Sequence, residues 1–205
     1  MSDSLRTLVV YYSRTGTTAA LGDAIARRLA AHGSVDVEAL FDVVDRRGPF
    51  GFVRSIVDTI RRQRPALATL AHDAARYDLV VLGTPVWGST VSAPMRTFLA
   101  AHAGRLPRVA FFLTDGLTSH EMVFHDMTEL VGTEPLATLG LDHDAVDRGV
   151  YDTAVATFVD RILERRAAPR SASAPGLAVE SAPEPSAPPA HEWAGMSVGG
   201  TAHSR

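Results

Sequence analysis

Cysteine is missing from this 205-residue chain. That removes disulfides, thiolate nucleophiles, Cys-ligated zinc and iron–sulfur clusters from its own chemistry. Lysine is missing as well, since all 20 basic residues are arginine. A phosphate loop of the Gly-x-x-x-x-Gly-Lys-Ser/Thr type needs its lysine, and so does a pyridoxal-phosphate enzyme. Both classes are excluded, and a phospho-aspartate receiver is disfavoured on the same ground. No run approaches the roughly 20 apolar residues of a membrane span. Met1-Ser2-Asp3-Ser4 lacks the basic-then-apolar pattern of a secretion signal, so the expectation is a soluble, cytoplasmic protein with no membrane partner. Charge of one sign is scarce too: a net of −3 gives no reason to expect a nucleic acid or an anionic surface as partner. The Gly-x-Gly-x-x-Gly fingerprint of dinucleotide binding does not follow the first apolar run.

What the chain does have is alternation. A hydrophobic fraction of 46% suffices for one well-buried domain and a tail. Leu8-Val9-Val10-Tyr11-Tyr12 reads as a strand buried on both faces. Ser13-Arg14-Thr15-Gly16-Thr17-Thr18 is a short hydroxyl-rich loop, and a helix from about Thr17 to Ala31 carries Leu21, Ile25 and Leu29 on one stripe. Val35, Val37 and Ala39 alternate with Asp36 and Glu38, the pattern of an edge strand. After Gly48-Pro49-Phe50-Gly51 a helix is expected with Val53, Ile56, Val57 and Ile60 inward. Its end carries Arg61, Arg62 and Arg64, a charge-matched helix terminus. The functional alternative for those arginines is docking of an acidic protein or of the 2′-phosphate of NADPH. A third strand, Leu79 to Gly83, precedes a helix from about Ala93 to Ala103. A fourth, Val109 to Leu113, precedes a helix from about Ser119 to Val131. Leu136 to Leu141 is a weaker fifth strand, and Tyr151, Val155, Phe158 and Ile162 mark a last helix from about Asp147 to Arg166.

Strands alternating with helices imply parallel pairing and a doubly wound α/β sandwich. The folded domain is expected over residues 5–166. Half of the 12 prolines (Pro169, Pro175, Pro183, Pro185, Pro188 and Pro189) fall beyond it among Ala, Ser and Gly, so 167–205 reads as a disordered tail. Trp193 and Met196 in that tail are weak candidates for a short binding motif.

Ligands of an open α/β sheet bind outside the carboxyl ends of the strands, where strand order reverses. Three strand ends here carry small or hydroxyl residues: Ser13 to Thr18, Thr84 to Thr90 and Thr114 to Gly116. The first precedes a helix N-terminus, whose unpaired N–H groups and partial positive charge suit a phosphate. Gly16 lets backbone approach the anion, and Arg14 adds charge. The second offers the ring of Trp87 beside Pro85. A phosphate at one end and a flat ring at the other describe a mononucleotide. His120, His125 and Asp142-His143-Asp144 are read as caps and surface, and no metal is expected.

The loops Tyr11-Tyr12-Ser13-Arg14-Thr15-Gly16-Thr17-Thr18 and Gly83-Thr84-Pro85-Val86-Trp87-Gly88-Ser89 resemble those of the flavodoxin-like family. So do the Pro94-Met95-Arg96-x-Phe98-Leu99 helix and the Thr114-x-Gly116 strand end. The family includes flavodoxins and NAD(P)H:quinone oxidoreductase-type flavoproteins. The resemblance implies a five-stranded parallel sheet of order 2-1-3-4-5 with helices on both faces, and FMN as cofactor. By position, Ser13, Arg14, Thr15, Gly16, Thr17 and Thr18 would cradle the phosphate. Thr84, Pro85, Val86, Trp87, Gly88 and Ser89 would border the isoalloxazine, and Thr114, Asp115 and Gly116 would close the far side. Gly88 would be the small residue whose peptide can turn its carbonyl toward the reduced ring. Asp115 departs from the family's double glycine. It would either oppose negative charge on the ring or cap the next helix.

Three functions follow from the resemblance. One is an FMN-dependent oxidoreductase reducing quinones or other small acceptors with NAD(P)H. Another is a flavodoxin passing electrons between redox proteins, which the modest charge disfavours because such carriers are usually acidic. The third is a flavin-free binding module. No side chain stands out as a general acid or base.

Overall fold

In the computed structural model, residues 4–41, 67–116 and 120–168 are described. β1 (Leu5–Tyr11) runs through the middle of a parallel sheet because six of its seven residues shed water entirely or nearly so. On one flank it pairs with β2 (Gly33–Ala39), and on the other with β3 (Leu79–Trp87). β5 (Arg108–Asp115) pairs with β3, and β6 (Thr138–Asp142) closes the far edge. The order β2-β1-β3-β5-β6 is the expected 2-1-3-4-5 with one short strand added. That addition, β4 (Thr90–Val91), pairs antiparallel with the end of β3.

Alternation along each strand sends side chains to two separate cores. Leu5, Val9, Leu79, Val81, Ala110 and Phe112 meet Leu21, Ile25 and Leu29 of α1 (Thr17–Leu29) and Val155, Phe158 and Ile162 of α5 (Asp152–Ala167). Leu8, Val10, Val80, Leu82, Phe111 and Leu113 meet Met95, Phe98 and Leu99 of α2 (Ala93–His102) and Val123 and Met127 of α3 (His120–Val131). Helices therefore cover both faces. At Gly83 the packing is tight: a Cβ there would lie 2.0 Å from Cζ of Phe112, so only glycine lets that ring cross β3.

β2 is the edge strand its alternation predicts, and the 67–78 segment covers it. Glu38 Oε2 accepts the N–H groups of Ala71 (2.9 Å) and His72 (3.0 Å) and meets the His72 ring at 2.8 Å. Tyr77 donates to Asp36 at 2.8 Å, and Asp78 pairs with Arg6 at 3.1 Å.

Several boundaries differ from expectation. α1 ends at Leu29 and passes into a 3₁₀ turn over Ala30–His32. The last helix begins at Asp152 rather than Asp147. Gly149, at φ +70°, turns the chain, and a separate short helix, α4 (His143–Asp147), precedes it. α5 continues through Ala167, one residue into the expected tail. The helix expected over 53–64, its Arg61, Arg62 and Arg64, and the tail from 169 onward with Trp193 and Met196 lie outside the described residues.

Candidate functional site

The topological switch lies between β1 and β3, where the chain leaves β1 toward β2 and returns on the other side. The pairing of these strands extends one step past β1, with Tyr12 N–H donating to the Gly83 carbonyl at 3.1 Å. The crevice above their carboxyl ends is where this fold class offers a ligand its backbone groups.

At the end of β1, Ser13 Oγ accepts the N–H of Gly16 at 3.2 Å and closes the turn. Gly16 is the N-cap of α1 with φ +101°, and no side chain caps the helix. Among the described residues, its chain neighbours aside, nothing lies within 4 Å of where a Cβ on Gly16 would be. The result is an exposed helix N-terminus with open space in front of it, the arrangement that favours an anion. Thr15 is exposed beside it, while Thr17 and Thr18 are buried. Thr18 Oγ1 lies 2.7 Å from Thr114 Oγ1, which ties the first loop to the end of β5.

The second segment is not the loop that its glycine and proline suggested. β3 continues through Thr84, Pro85, Val86 and Trp87, and Gly88 and Ser89 form a two-residue hairpin turn to β4. Both turn residues have positive φ, +59° and +57°, as a type I′ turn demands. Two contacts hold the hairpin's base. Thr84, fully buried, accepts the N–H of Ser92 at 3.1 Å and meets its hydroxyl at 2.9 Å. Arg96, itself buried, donates to Thr90 Oγ1, which lies 3.4 Å from Asp126 Oδ2. Trp87, half-buried, meets Tyr12 edge to face at 5.8 Å between ring centroids, which joins the hairpin to the end of β1.

At the end of β5, Asp115 is buried and its Oδ1 meets His120 Nε2 at 2.8 Å. The carboxylate therefore latches the start of α3 through a side chain. Asp115 Oδ2 is buried without a hydrogen-bond partner among the described residues, an acceptor still short of a donor. His120 rests against Gly140, where a Cβ would lie 2.4 Å from its Nδ1. His125 pairs instead with Glu129 at 3.4 Å, and Asp142 caps α4 by accepting the Asp144 N–H at 2.7 Å.

Together these elements enclose a cleft of about 390 Å³ lined by Arg14, Thr15, Thr17, Thr18, Pro85, Trp87, His143 and Asp147. Six of the eight are residues the sequence singles out. Ser13 and Gly16 shape the turn beneath it. Thr84 and Thr114 are spent on internal hydrogen bonds, and Gly88 and Ser89 form the hairpin apex. Val86 packs toward the α2–α3 core. His143 and Asp147 were not foreseen as lining residues. They arrive on α4, and Thr17 Oγ1 donates to Asp147 Oδ1 at 3.2 Å.

Residues 6–132, more than half of the chain, match the sequence profile of the NADPH-dependent FMN reductase family. No curated protein matches the chain. Among solved structures, a flavoprotein from Lactobacillus acidophilus NCFM in complex with FMN superposes with a TM-score of 0.55 at 22% identity, over 70% of this chain and 97% of that one. A Bacteroides uniformis protein assigned as a flavoprotein gives 0.58 at 23%, over 77% and 99%. A WrbA-like flavodoxin from Agrobacterium tumefaciens gives 0.50 at 14%, over 80% and 98%. At these identities the likeness establishes the fold, which is flavodoxin-like. No described helix is long and apolar enough to cross a membrane.

Proposed function

This chain belongs to the NADPH-dependent FMN reductase family, and on that premise we propose that it is a flavoenzyme taking reducing equivalents from NAD(P)H and passing them to quinones or other small acceptors. FMN is its cofactor, and its binding site is the cleft above β1, β3 and β5. The observation that carries this reading is the pairing of two unlike ends in one cleft. The uncapped N-terminus of α1 stands with Arg14, Thr15, Thr17 and Thr18 at one end. Pro85 and Trp87 line the cleft from β3.

These residues fit the group. Helix N–H donors, threonine hydroxyls and a guanidinium suit a phosphate, and the open space at Gly16 leaves room for it. The indole of Trp87, held by Tyr12, suits one face of an aromatic ring system.

When bound, FMN supplies the redox chemistry, and the protein supplies position and electrostatics. Pro85 and the Thr84–Ser92 bonds fix the ring-side wall so that little reordering accompanies binding. The Thr18–Thr114 bond holds the phosphate loop at a set distance from β5. Asp115 holds a buried carboxylate at the end of β5, behind the cleft lining. With FMN bound, that carboxylate would oppose negative charge on the ring by simple repulsion, and its contact with His120 at 2.8 Å would moderate the effect.

The purified protein's visible absorption spectrum tests the proposal, followed by heat release and chromatography of bound flavin and by NADH and NADPH oxidation with a panel of quinones. Stoichiometric FMN with quinone-dependent oxidation of either nucleotide is the expected outcome. A flavin-loaded protein that oxidises neither nucleotide would be an electron carrier. A colourless protein that takes up no added FMN would end the flavoenzyme reading.

A further inference from the structure

The cleft holds one group that works against its anion-binding end. Asp147 accepts the Thr17 hydroxyl at 3.2 Å, and Thr17 is the first residue of α1. A hydroxyl has one hydrogen, so Thr17 cannot donate to this carboxylate and to a phosphate oxygen at once. Two anions within a few ångström of each other also repel.

The position of Asp147 is built. α4 is capped by Asp142, whose Oδ1 accepts the Asp144 N–H at 2.7 Å. Val146 is buried in the core beneath α1 and α5. Arg148 N–H and Gly149 N–H donate to the carbonyls of Asp144 (3.1 Å) and Val146 (2.9 Å), which close the helix directly after Asp147. The other charged or titratable groups lining the cleft are Arg14 and His143. Arginine attracts a phosphate, so Asp147 is the opposing charge.

We propose that Asp147 is a built-in competitor for the phosphate at Thr17, a specificity-determining residue that narrows this protein's preference for the phosphorylated flavin over riboflavin. The inference rests on the reading of the cleft as the FMN site. Riboflavin shares the ring and ribityl chain of FMN and lacks only the phosphate, so the ratio of the two affinities isolates the anion-binding end.

The test is a fluorescence titration of the full-length protein with FMN and with riboflavin, for the wild type, Asp147→Asn and Asp144→Asn. Asparagine keeps an oxygen for Thr17 and removes the charge. Asp144 is on the same helix and does not line the cleft, so its variant reports any general effect of surface charge. Asp147→Asn is expected to raise the FMN-to-riboflavin affinity ratio about tenfold, the effect of one charge a few ångström away in surroundings between bulk water and a protein surface. Riboflavin affinity and the Asp144→Asn ratio should stay within about twofold of the wild type. An unchanged ratio in Asp147→Asn, or a loss of FMN affinity, overturns the competitor role while leaving the flavin site intact. Failure of all three proteins to bind either flavin overturns the site assignment and the competitor role with it.

Discussion

The 2.7 Å contact between Thr18 Oγ1 and Thr114 Oγ1 makes a quantitative claim about how the site is assembled. Thr18 is 2% exposed and Thr114 0%, so neither hydroxyl has bulk water to fall back on. Valine matches threonine in shape and removes only the hydroxyl. Thr18→Val therefore deletes one buried hydrogen bond and leaves the Thr114 hydroxyl short of its partner, at a cost of about 2 kcal/mol. Thr114→Val should cost about the same for the mirror-image reason. The double variant has no stranded hydroxyl and keeps the packing, so it should cost about 1 kcal/mol rather than the sum of the singles. The coupling is then about 3 kcal/mol. Urea unfolding followed by circular dichroism gives these values, provided the m-value stays constant across the four proteins. Additive losses, with the double variant near 4 kcal/mol, would refute the reasoning. They would mean that each hydroxyl is satisfied elsewhere and that the start of α1 is not tied to β5.

Other parts of the structure make equally exposed claims. Gly83→Ala places a Cβ against the fully buried Phe112 ring, 2.0 Å from Cζ and 2.4 Å from Cε1, and should destabilise by about 3 kcal/mol. Adding Phe112→Leu should recover part of that loss in the same urea assay, whereas a double variant as unstable as the sum would place the strain elsewhere. The Tyr77 hydroxyl is pushed up to about 12 from its ordinary 10.0, first by burial and then by its bond to Asp36 and the charges of Asp36 and Glu38. The fold thus favours the protonated phenol. Its contribution is complete below pH 10 and is lost as pH rises through about 12. Stability of the wild type should fall over that window more steeply than that of Tyr77→Phe, and equal slopes would refute the clasp on β2.

The sheet was legible because buried parallel strands are written as unbroken apolar runs. Leu79 to Leu82 and Val109 to Leu113 could hardly be anything else. The turn that opens the candidate site was legible for a local reason: Thr15, Gly16, Thr17 and Thr18 sit between a strand and a helix within a few residues. The hairpin was hidden because the third strand reads as ending at Gly83, with Thr84 to Thr90 as a loop around Pro85 and Gly88. Here Gly83 is demanded by a ring packed on the strand. Pro85 sits in register with Thr114, near the end of the β3–β5 ladder. α4 was hidden because five residues are too few to show a helical period. Asp142-His143-Asp144 reads as caps and surface, and Asp142 is indeed the cap that starts it. The Thr17–Asp147 contact joins residues 130 positions apart, a pairing for which a single sequence carries no local signal. The last helix was read correctly from its Tyr151, Val155, Phe158 and Ile162 stripe, and only its start was misplaced, by the turn at Gly149.

The hairpin that carries Trp87 gives the two ends of the cleft unequal freedom to change. Its apex, Gly88-Ser89, is exposed and lies beyond the parallel ladder, and its base is fastened by Thr84, Ser92, Thr90 and Arg96. A longer turn or a different ring at Trp87 can therefore be accommodated without shifting a core strand. The anion end has no such slack. Its turn feeds directly into α1, and Thr18 is bonded to a residue inside β5. Change at the Trp87 end has an open path through the hairpin, while the turn that feeds α1 is held in common with the fold itself.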